Sequence, residues 1–513
     1  LPPDSKLGQG NAVSRNLFFE LASRFPEPGA PFIVLPDGET FTYGDLEAWS
    51  ARLAHGLIAM GIDQGDRVAV QAPKSPQFLF LYLACLRAGA VLLPLNTDYT
   101  PREVSYFLRN AGARLLVCAP GRAADLAAIA AEAGVERVVT LGEHGEGSLI
   151  DAAREAPERF ETAAVGGDDL AAILYTSGTT GVSKGAMLSH ENLASNARVL
   201  VDCWRFTRTD VLLHPLPIYH THGLFVATNV CLMAGCSMLF MPRFSGPEAV
   251  RLLPGASTMM GVPTHYHRLL AEPAFDADLV RHMRLFISGS APLSAESHRA
   301  FEACSGHRIL ERYGMTETNM ITSNPYDGER RAGTVGLPLP EVEVRIAEIE
   351  GGRILPQGEI GVIEVRGPNV FKGYWRMPEK TAQEFRSDRF FITGDMGLID
   401  ADGYVSIVGR EKDLVISGGL NVYPAEIEAL LDALPGVRES AVIGLPHPDF
   451  GEAVTAVVAG EAIDEAEIRG KLAKDLAAFK VPKRVLRVSE LPRNAMGKIQ
   501  KKVLREIYAG LYS

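Results

Sequence analysis

Residues 170–189 read Leu-Ala-Ala-Ile-Leu-Tyr-Thr-Ser-Gly-Thr-Thr-Gly-Val-Ser-Lys-Gly-Ala-Met-Leu-Ser. The opening apolar run, 170–175, has the length and composition of a buried strand. A turn rich in glycine and hydroxyl side chains follows, with one lysine, Lys184. Residues 185–189 read as a second strand, so the turn joins two strands. Such a turn aims backbone N–H groups, hydroxyls and an ammonium at a polyphosphate, and glycine lets the backbone come close. The spacing departs from the Walker pattern, in which Gly-Lys-Ser/Thr opens a helix after a four-residue gap. A Ser/Thr/Gly-rich turn is also an ordinary loop, so the rest of the chain must decide.

Working outward, strand-like and helix-like segments alternate over residues 30–320. Residues 67–72 read as a strand, 75–89 as a helix and 90–94 as a strand; 258–261 read as a strand, 263–270 as a helix and 283–287 as a strand. Ser294 caps a further helix, with Pro292 just upstream. This alternation predicts mostly parallel sheets flanked by helices, with ligands gathered at loops after the carboxyl ends of strands. From 333 to 409 short strands with Gly/Pro turns predict a small β-rich subdomain. After Arg410 a unit of roughly a hundred residues, with helices at 424–434 and 464–478, is long enough to fold separately.

The 513 residues exceed one compact core, and 47% hydrophobic with 22% charged residues is the balance of a soluble globular protein. A net charge of −11 argues against a general nucleic-acid binder, so anionic ligands must be held by local basic groups. Cys85, Cys118, Cys203, Cys231, Cys236 and Cys304 form no C-x-x-C pair, which fits buried thiols in a reducing compartment. No apolar run reaches bilayer-spanning length and no secretory signal pattern opens the chain. A cytoplasmic protein that binds neither membrane nor nucleic acid is expected.

Further motifs follow strand-like runs. Ser288-Gly289-Ser290-Ala291-Pro292 is a second glycine loop. In Glu311-Arg312-Tyr313-Gly314-Met315-Thr316-Glu317 the last carboxylate fits either a helix start or a ligand for hydrated Mg²⁺. Asp395 ends Phe-Ile-Thr-Gly-Asp, where its carboxylate suits ribose hydroxyls or a β-turn. Gly409-Arg410-Glu411-Lys412-Asp413 is a charged junction leading to a hairpin turn at Gly418-Gly419. Lys498 ends Pro-Arg-Asn-Ala-Met-Gly-Lys near the C-terminus.

Each motif alone has a bland reading. In this order, from about residue 17 to 504, the set strongly resembles the acyl-adenylate-forming superfamily of acyl-CoA synthetases, adenylation domains and luciferases. The resemblance implies an α/β fold: an N-terminal adenylation domain over 1–409, a hinge at 410–412 with Lys412 as pivot, and a mobile α+β C-terminal lid over 413–513. It implies ATP, Mg²⁺ and coenzyme A as cofactors. A carboxylate attacks the α-phosphorus of ATP, and CoA thiol then takes the acyl group from acyl-AMP.

By motif correspondence Thr176, Ser177, Gly178, Thr179, Thr180, Gly181 and Lys184 grip the β,γ-phosphates. Glu317 and Thr176 hold Mg²⁺, and Asp395 and Arg410 hold the ribose. The loop 288–292 and residues 311–316 frame the adenine. Lys498 bridges the acyl carboxylate and α-phosphate. Gly418 and Gly419 border the pantetheine path. Lys498, on its glycine turn, is also an expected target for a lysine acetyltransferase.

The segment 216–225, Leu-Pro-Ile-Tyr-His-Thr-His-Gly-Leu-Phe, corresponds to the acyl-pocket wall, with His220 touching the acid. A dicarboxylate needs a cation at its far end, because a buried unpaired carboxylate costs several kcal/mol. Arg243 and Arg284 are the two expected candidates; Arg284 alternatively supports the adenine loop. At finer grain, segments 216–229, 284–293, 314–339 and 367–381 resemble malonate-activating members of the superfamily. That implies malonate, with tolerance for methylmalonate. Another small-carboxylate acyl-CoA synthetase, or an adenylation module loading a carrier protein, shares the first half-reaction.

Overall fold

A computed structural model describes residues 14–176, 183–418, 420–460, 464–494 and 498–512. Among them lie four sheets. The first runs Arg137–Thr140, Ala113–Cys118, Arg67–Gln71, Val91–Pro94, Leu170–Thr176, Lys184–Ser189, parallel except for its last pair. Residues 170–176 and 184–189 therefore pair antiparallel at the edge of a parallel sheet, as their apolar runs predict.

The second sheet has nine strands. Its parallel centre orders Leu310–Met315, Leu285–Ser288, Thr258–Gly261, Val211–His214, Ser237–Phe240 and Pro31–Val34. These strands are buried on both faces and carry continuous apolar runs such as Leu285-Phe286-Ile287. One apolar core joins residues of both sheets with the helix Pro76–Ala88. That helix is apolar all round because it is enclosed; Ser75 caps its start and Gly89, at φ 69°, ends it. The helix after Ser294 forms at Ala295–Ser305 with the serine as its cap.

Residues 333–409 hold a four-stranded antiparallel sheet, Glu343–Ala347, Gly361–Arg366, Phe391–Ile399 and Val405–Arg410. The C-terminal sheet combines Val415–Ser417, Leu420–Val422, Val437–His447, Gly451–Gly460 and Arg484–Val488 around its own core, which includes Val422, Ile427, Val442 and Ile468. Its helices Pro424–Asp432 and Glu465–Asp475 match the expected ones to within three residues at each end. The chain carries the expected α/β architecture.

One alternative is excluded. Glu317 does not open a helix: Leu310–Met315 turns directly into the antiparallel strand Asn319–Ser323, so Glu317 sits on a hairpin turn beside the sheet.

Candidate active site

Thr176 and Lys184 are register partners at the last rung of the edge strand pair. Ser177, Gly178, Thr179, Thr180 and Gly181 lie outside the described residues. The Lys184 ammonium sits 4.2 Å from the Tyr374 ring centroid and 3.6 Å from Glu384, which also pairs with Lys380 at 2.6 Å. The Tyr374 hydroxyl donates to Glu317 at 3.0 Å. Tyr374 is placed by backbone pairing of its segment with the strand Lys184–Ser189: Met187 N–H donates to Gly373 O at 3.0 Å and Trp375 N–H to Gly185 O at 2.7 Å. Burial pushes the Glu317 carboxyl up, offset in part by its hydrogen bonds and by the charges of Lys184 and Arg410. Glu317 is thus a desolvated carboxylate with cations near but none in direct contact.

Asp395 and Arg410 are register partners on neighbouring antiparallel strands. Arg410 Nε lies 2.6 Å from one Asp395 oxygen, and the Tyr313 hydroxyl donates to the other at 2.5 Å. Each oxygen keeps a lone pair for a further donor. Burial and the Asp395 charge hold the Tyr313 phenol protonated, well above its ordinary value.

The loop 288–292 leaves the strand Leu285–Ser288 with Ser290 at φ 71°, a left-handed conformation costly for a non-glycine residue. Ser290 Oγ is 3.1 Å from His222 Nδ1. Gly289 packs against the Arg312 guanidinium: a Cβ there would lie 2.4 Å from Nη1. Past Ala291 and Pro292, the Leu293 N–H donates to Glu311 at 3.2 Å; burial pushes that carboxyl up to about 8. Gly314 is constrained by close approach, since a Cβ would lie 1.9 Å from Asn319 O; Met315 and Thr316 complete the hairpin turn.

The segment 216–225 runs into a π-helical turn, His222–Thr228. Turns of this kind concentrate at functional sites. The Nε2 atoms of His220 and His222 are sealed from solvent without a partner. His220 is pushed down to about 3 by burial and by the charge of Lys498. Lys498, from the far end of the chain, therefore reaches this wall. It keeps more than a third of its surface open, yet its charge interacts with Arg410, Asp395, Arg312 and Glu317. Burial there lowers its basicity, with Arg410 adding to the effect.

Three arginines stand differently from the sequence expectation. Arg284 is not a distal cation: its fork takes both oxygens of buried Asp210, at 2.7 and 2.8 Å, and donates to Trp204 O at 3.0 Å. Arg243 is exposed on a loop whose neighbour Phe244 stacks on His265 at 4.2 Å. Arg312, expected with its neighbours at the nucleotide, has its guanidinium against Gly289 of the loop 288–292. Strand alternation puts it opposite Glu311 and Tyr313, 2% exposed, with Nε and Nη2 unpartnered. Burial pushes its guanidinium down to about 9, with only partial relief from Tyr266 and Glu311, so it stays charged near neutrality. A lone buried cation beside Lys498 and His222 is the feature that motif matching missed; alternation along 310–315 was the available signal.

Two expectations follow. Arg284→Ala lowers stability by roughly 2–3 kcal/mol in denaturant titration, below the full buried-pair range because Arg284 keeps 24% of its side chain exposed. Arg243→Ala leaves steady-state kinetics with malonate unchanged within about twofold, the usual scale for a surface change; a tenfold loss would return Arg243 to the pocket.

On the C-terminal unit Lys412 lies in the turn Glu411–Asp413, pushed down by burial, beside an Asp413–Arg505 ion pair of 2.7 Å. Gly418, at φ 60°, turns the hairpin between Val415–Ser417 and Leu420–Val422. Gly419 lies outside the described residues. That hairpin exposes Ile416 at 51% and Leu420 at 48%.

Residues 18–375 match the family model of AMP-binding enzymes, and 426–498 match that of the AMP-binding enzyme C-terminal domain. The chain is 34% identical over 520 residues to malonate–CoA ligase of Arabidopsis thaliana, covering 92% of this chain and 85% of that one. It is 38% identical over 480 residues to feruloyl-CoA synthase of an Amycolatopsis species, covering 91% and 94%. Among solved structures it is similar to ATP-bound MatB from Rhodopseudomonas palustris, with 57% identity, a TM-score of 0.96 and coverage of 98% and 100%. Against apo MatB from the same organism, at the same identity and coverage, the TM-score is 0.85.

Proposed function

This chain belongs to the AMP-binding enzyme family, and from that premise we propose that it ligates malonate to coenzyme A through malonyl-AMP, releasing pyrophosphate and then AMP. The observation that carries malonate is Arg312. A guanidinium buried without a counter-ion is unfavourable alone and complementary to an acid with a second carboxylate. Methylmalonate, which adds one methyl group, is the expected secondary substrate.

In the first step the acid and ATP are both anionic, so catalysis must align them in line and neutralise charge. Lys498 supplies a mobile charge at the acyl carboxylate and α-phosphate. Asp395, with Arg410 and Tyr313 fixing its two oxygens, retains acceptor capacity for the ribose hydroxyls. Lys184, at the end of its strand, would face the outer phosphates. His220, kept neutral by burial, adds no charge to the dianion's wall.

Glu317 with Thr176 fits a hydrated Mg²⁺, which would offset phosphate charge. The carboxylate is desolvated without a directly bound cation. Glu317→Gln should raise the Mg²⁺ concentration for half-maximal rate about tenfold, read by metal titration at saturating ATP; an unchanged midpoint would remove Glu317 from the metal.

In the second step we infer that the unit 413–513 turns about Lys412, within 410–412, withdrawing Lys498 from the domain 1–409. The Gly418 hairpin would then border the thiol's path. Apolar Ile416 and Leu420 exposed on that hairpin, and the greater likeness to ATP-bound than to apo MatB, support an adenylate-forming arrangement here. Acetyl transfer to Lys498 would remove the charge the first step needs. Lys498 unmodified in cells lacking deacetylase activity would contradict that regulation.

Malonate-dependent exchange of labelled pyrophosphate into ATP, measured without CoA, tests the reading. Exchange with malonate and not with acetate is expected; no exchange with any dicarboxylate would overturn it.

A further inference from the structure

Lys74 follows the central strand Arg67–Gln71. Among the described residues no carboxylate lies within salt-bridge distance of its ammonium, and burial pushes it well below its ordinary value. A half-buried lysine without an acidic partner spends its donors on specific acceptors. Nζ donates to the His214 carbonyl at 2.8 Å and to His214 Nδ1 at 3.1 Å, and it lies 4.1 Å from the Phe240 ring centroid.

His214 ends the strand Val211–His214 and is fully buried. With Nδ1 accepting from Lys74, the ring proton must reside on Nε2. Nε2 is 3.0 Å from Gly223 O, and the Thr228 hydroxyl donates to the same oxygen at 2.9 Å. Gly223 lies in the π-helical turn His222–Thr228, the kind of turn that concentrates at functional sites. The turn is clamped on its other side too, where a Cβ on Gly223 would lie 2.0 Å from Pro217 O. Lysine, imidazole and carbonyl thus form one chain from the first sheet's strand end to the wall that carries His220 and His222.

We propose that Lys74 is a positioning residue for the acyl acid: by fixing the His214 tautomer it locks the π-helical turn in the register that presents His220 and His222. The inference rests on the proposed function for the identity of the acid. It assigns Lys74 no contact with substrate and no step in proton transfer.

The test uses the full-length enzyme. Lys74→Met is expected to lower kcat/KM for malonate about tenfold, chiefly through KM, because a displaced wall misplaces the acid rather than the nucleotide; KM for ATP stays within about twofold. His214→Gln keeps a terminal N–H₂ donor for Gly223 O and should recover most of the activity lost in His214→Leu. Histidine-selective ¹⁵N NMR of wild type should find His214 as the Nε2–H tautomer, and Lys74→Met should shift that signal.

Wild-type His214 protonated at Nδ1 would overturn the proposal. So would proportional losses toward malonate and ATP, or a fall in thermal stability with malonate KM unchanged. If wild type prefers another acid, the malonate reading fails, while the tautomer and the same comparison run with that acid still decide on Lys74.

Discussion

Lys498→Ala is expected to lower malonyl-AMP formation by about 10³-fold or more, the scale of removing a group that stabilises developing transition-state charge. The same variant should still convert chemically supplied malonyl-AMP and CoA to thioester at close to the wild-type rate. The asymmetry follows from where the ammonium lies. Its charge depresses His220 on the acyl wall, and it sits among Arg410, Asp395, Arg312 and Glu317, at the meeting point of acid and nucleotide. In the second step AMP leaves with its charge after the C-terminal unit has turned and carried the Lys498 ammonium out of the cleft, so that step does not draw on it. Single-turnover measurements of each half-reaction separate the two; equal losses in both would mean that Lys498 supports the cleft rather than the first step.

Arg312→Leu carries the second large effect and has two readouts of opposite sign. With malonate, kcat/KM should fall about 10²- to 10³-fold, matching the roughly 3–5 kcal/mol lost when one partner of a buried ion pair is removed. Turnover of propionate, which lacks a second carboxylate, should fall far less. Without substrate the variant should melt higher than wild type, because an unpartnered guanidinium, 2% exposed, is replaced by an apolar side chain. Malonate should raise the melting temperature of wild type and not of the variant. Equal kinetic losses for both acids, together with a lower melting temperature, would make Arg312 a structural residue.

The parallel sheets were legible because their strands are buried on both faces and carry apolar runs, as at 68–70, 259–260 and 285–287. A cap placed the helix Ala295–Ser305, with Ser294 before it. The π-helical turn His222–Thr228 was not legible, since one extra residue per turn leaves no mark on hydrophobic periodicity. Arg284 and Asp210 are 74 residues apart, so the pairing that removes Arg284 from the pocket leaves no local trace. Arg312 was read by its place inside a motif, although alternation along a strand cannot send Glu311, Arg312 and Tyr313 to one ligand. Lys74 carried a weak signal, a lone lysine at the carboxyl end of a central parallel strand, where ligand-side chemistry gathers.

The most direct test of the central claim measures AMP and CoA thioester formation from ATP, Mg²⁺ and CoA with acetate, propionate, malonate, methylmalonate, succinate and octanoate. Malonate should give the highest kcat/KM, methylmalonate the next, and the monocarboxylates little of either product. A monocarboxylate preferred over malonate would leave the two-step chemistry standing and contradict the assignment of Arg312 to a second carboxylate.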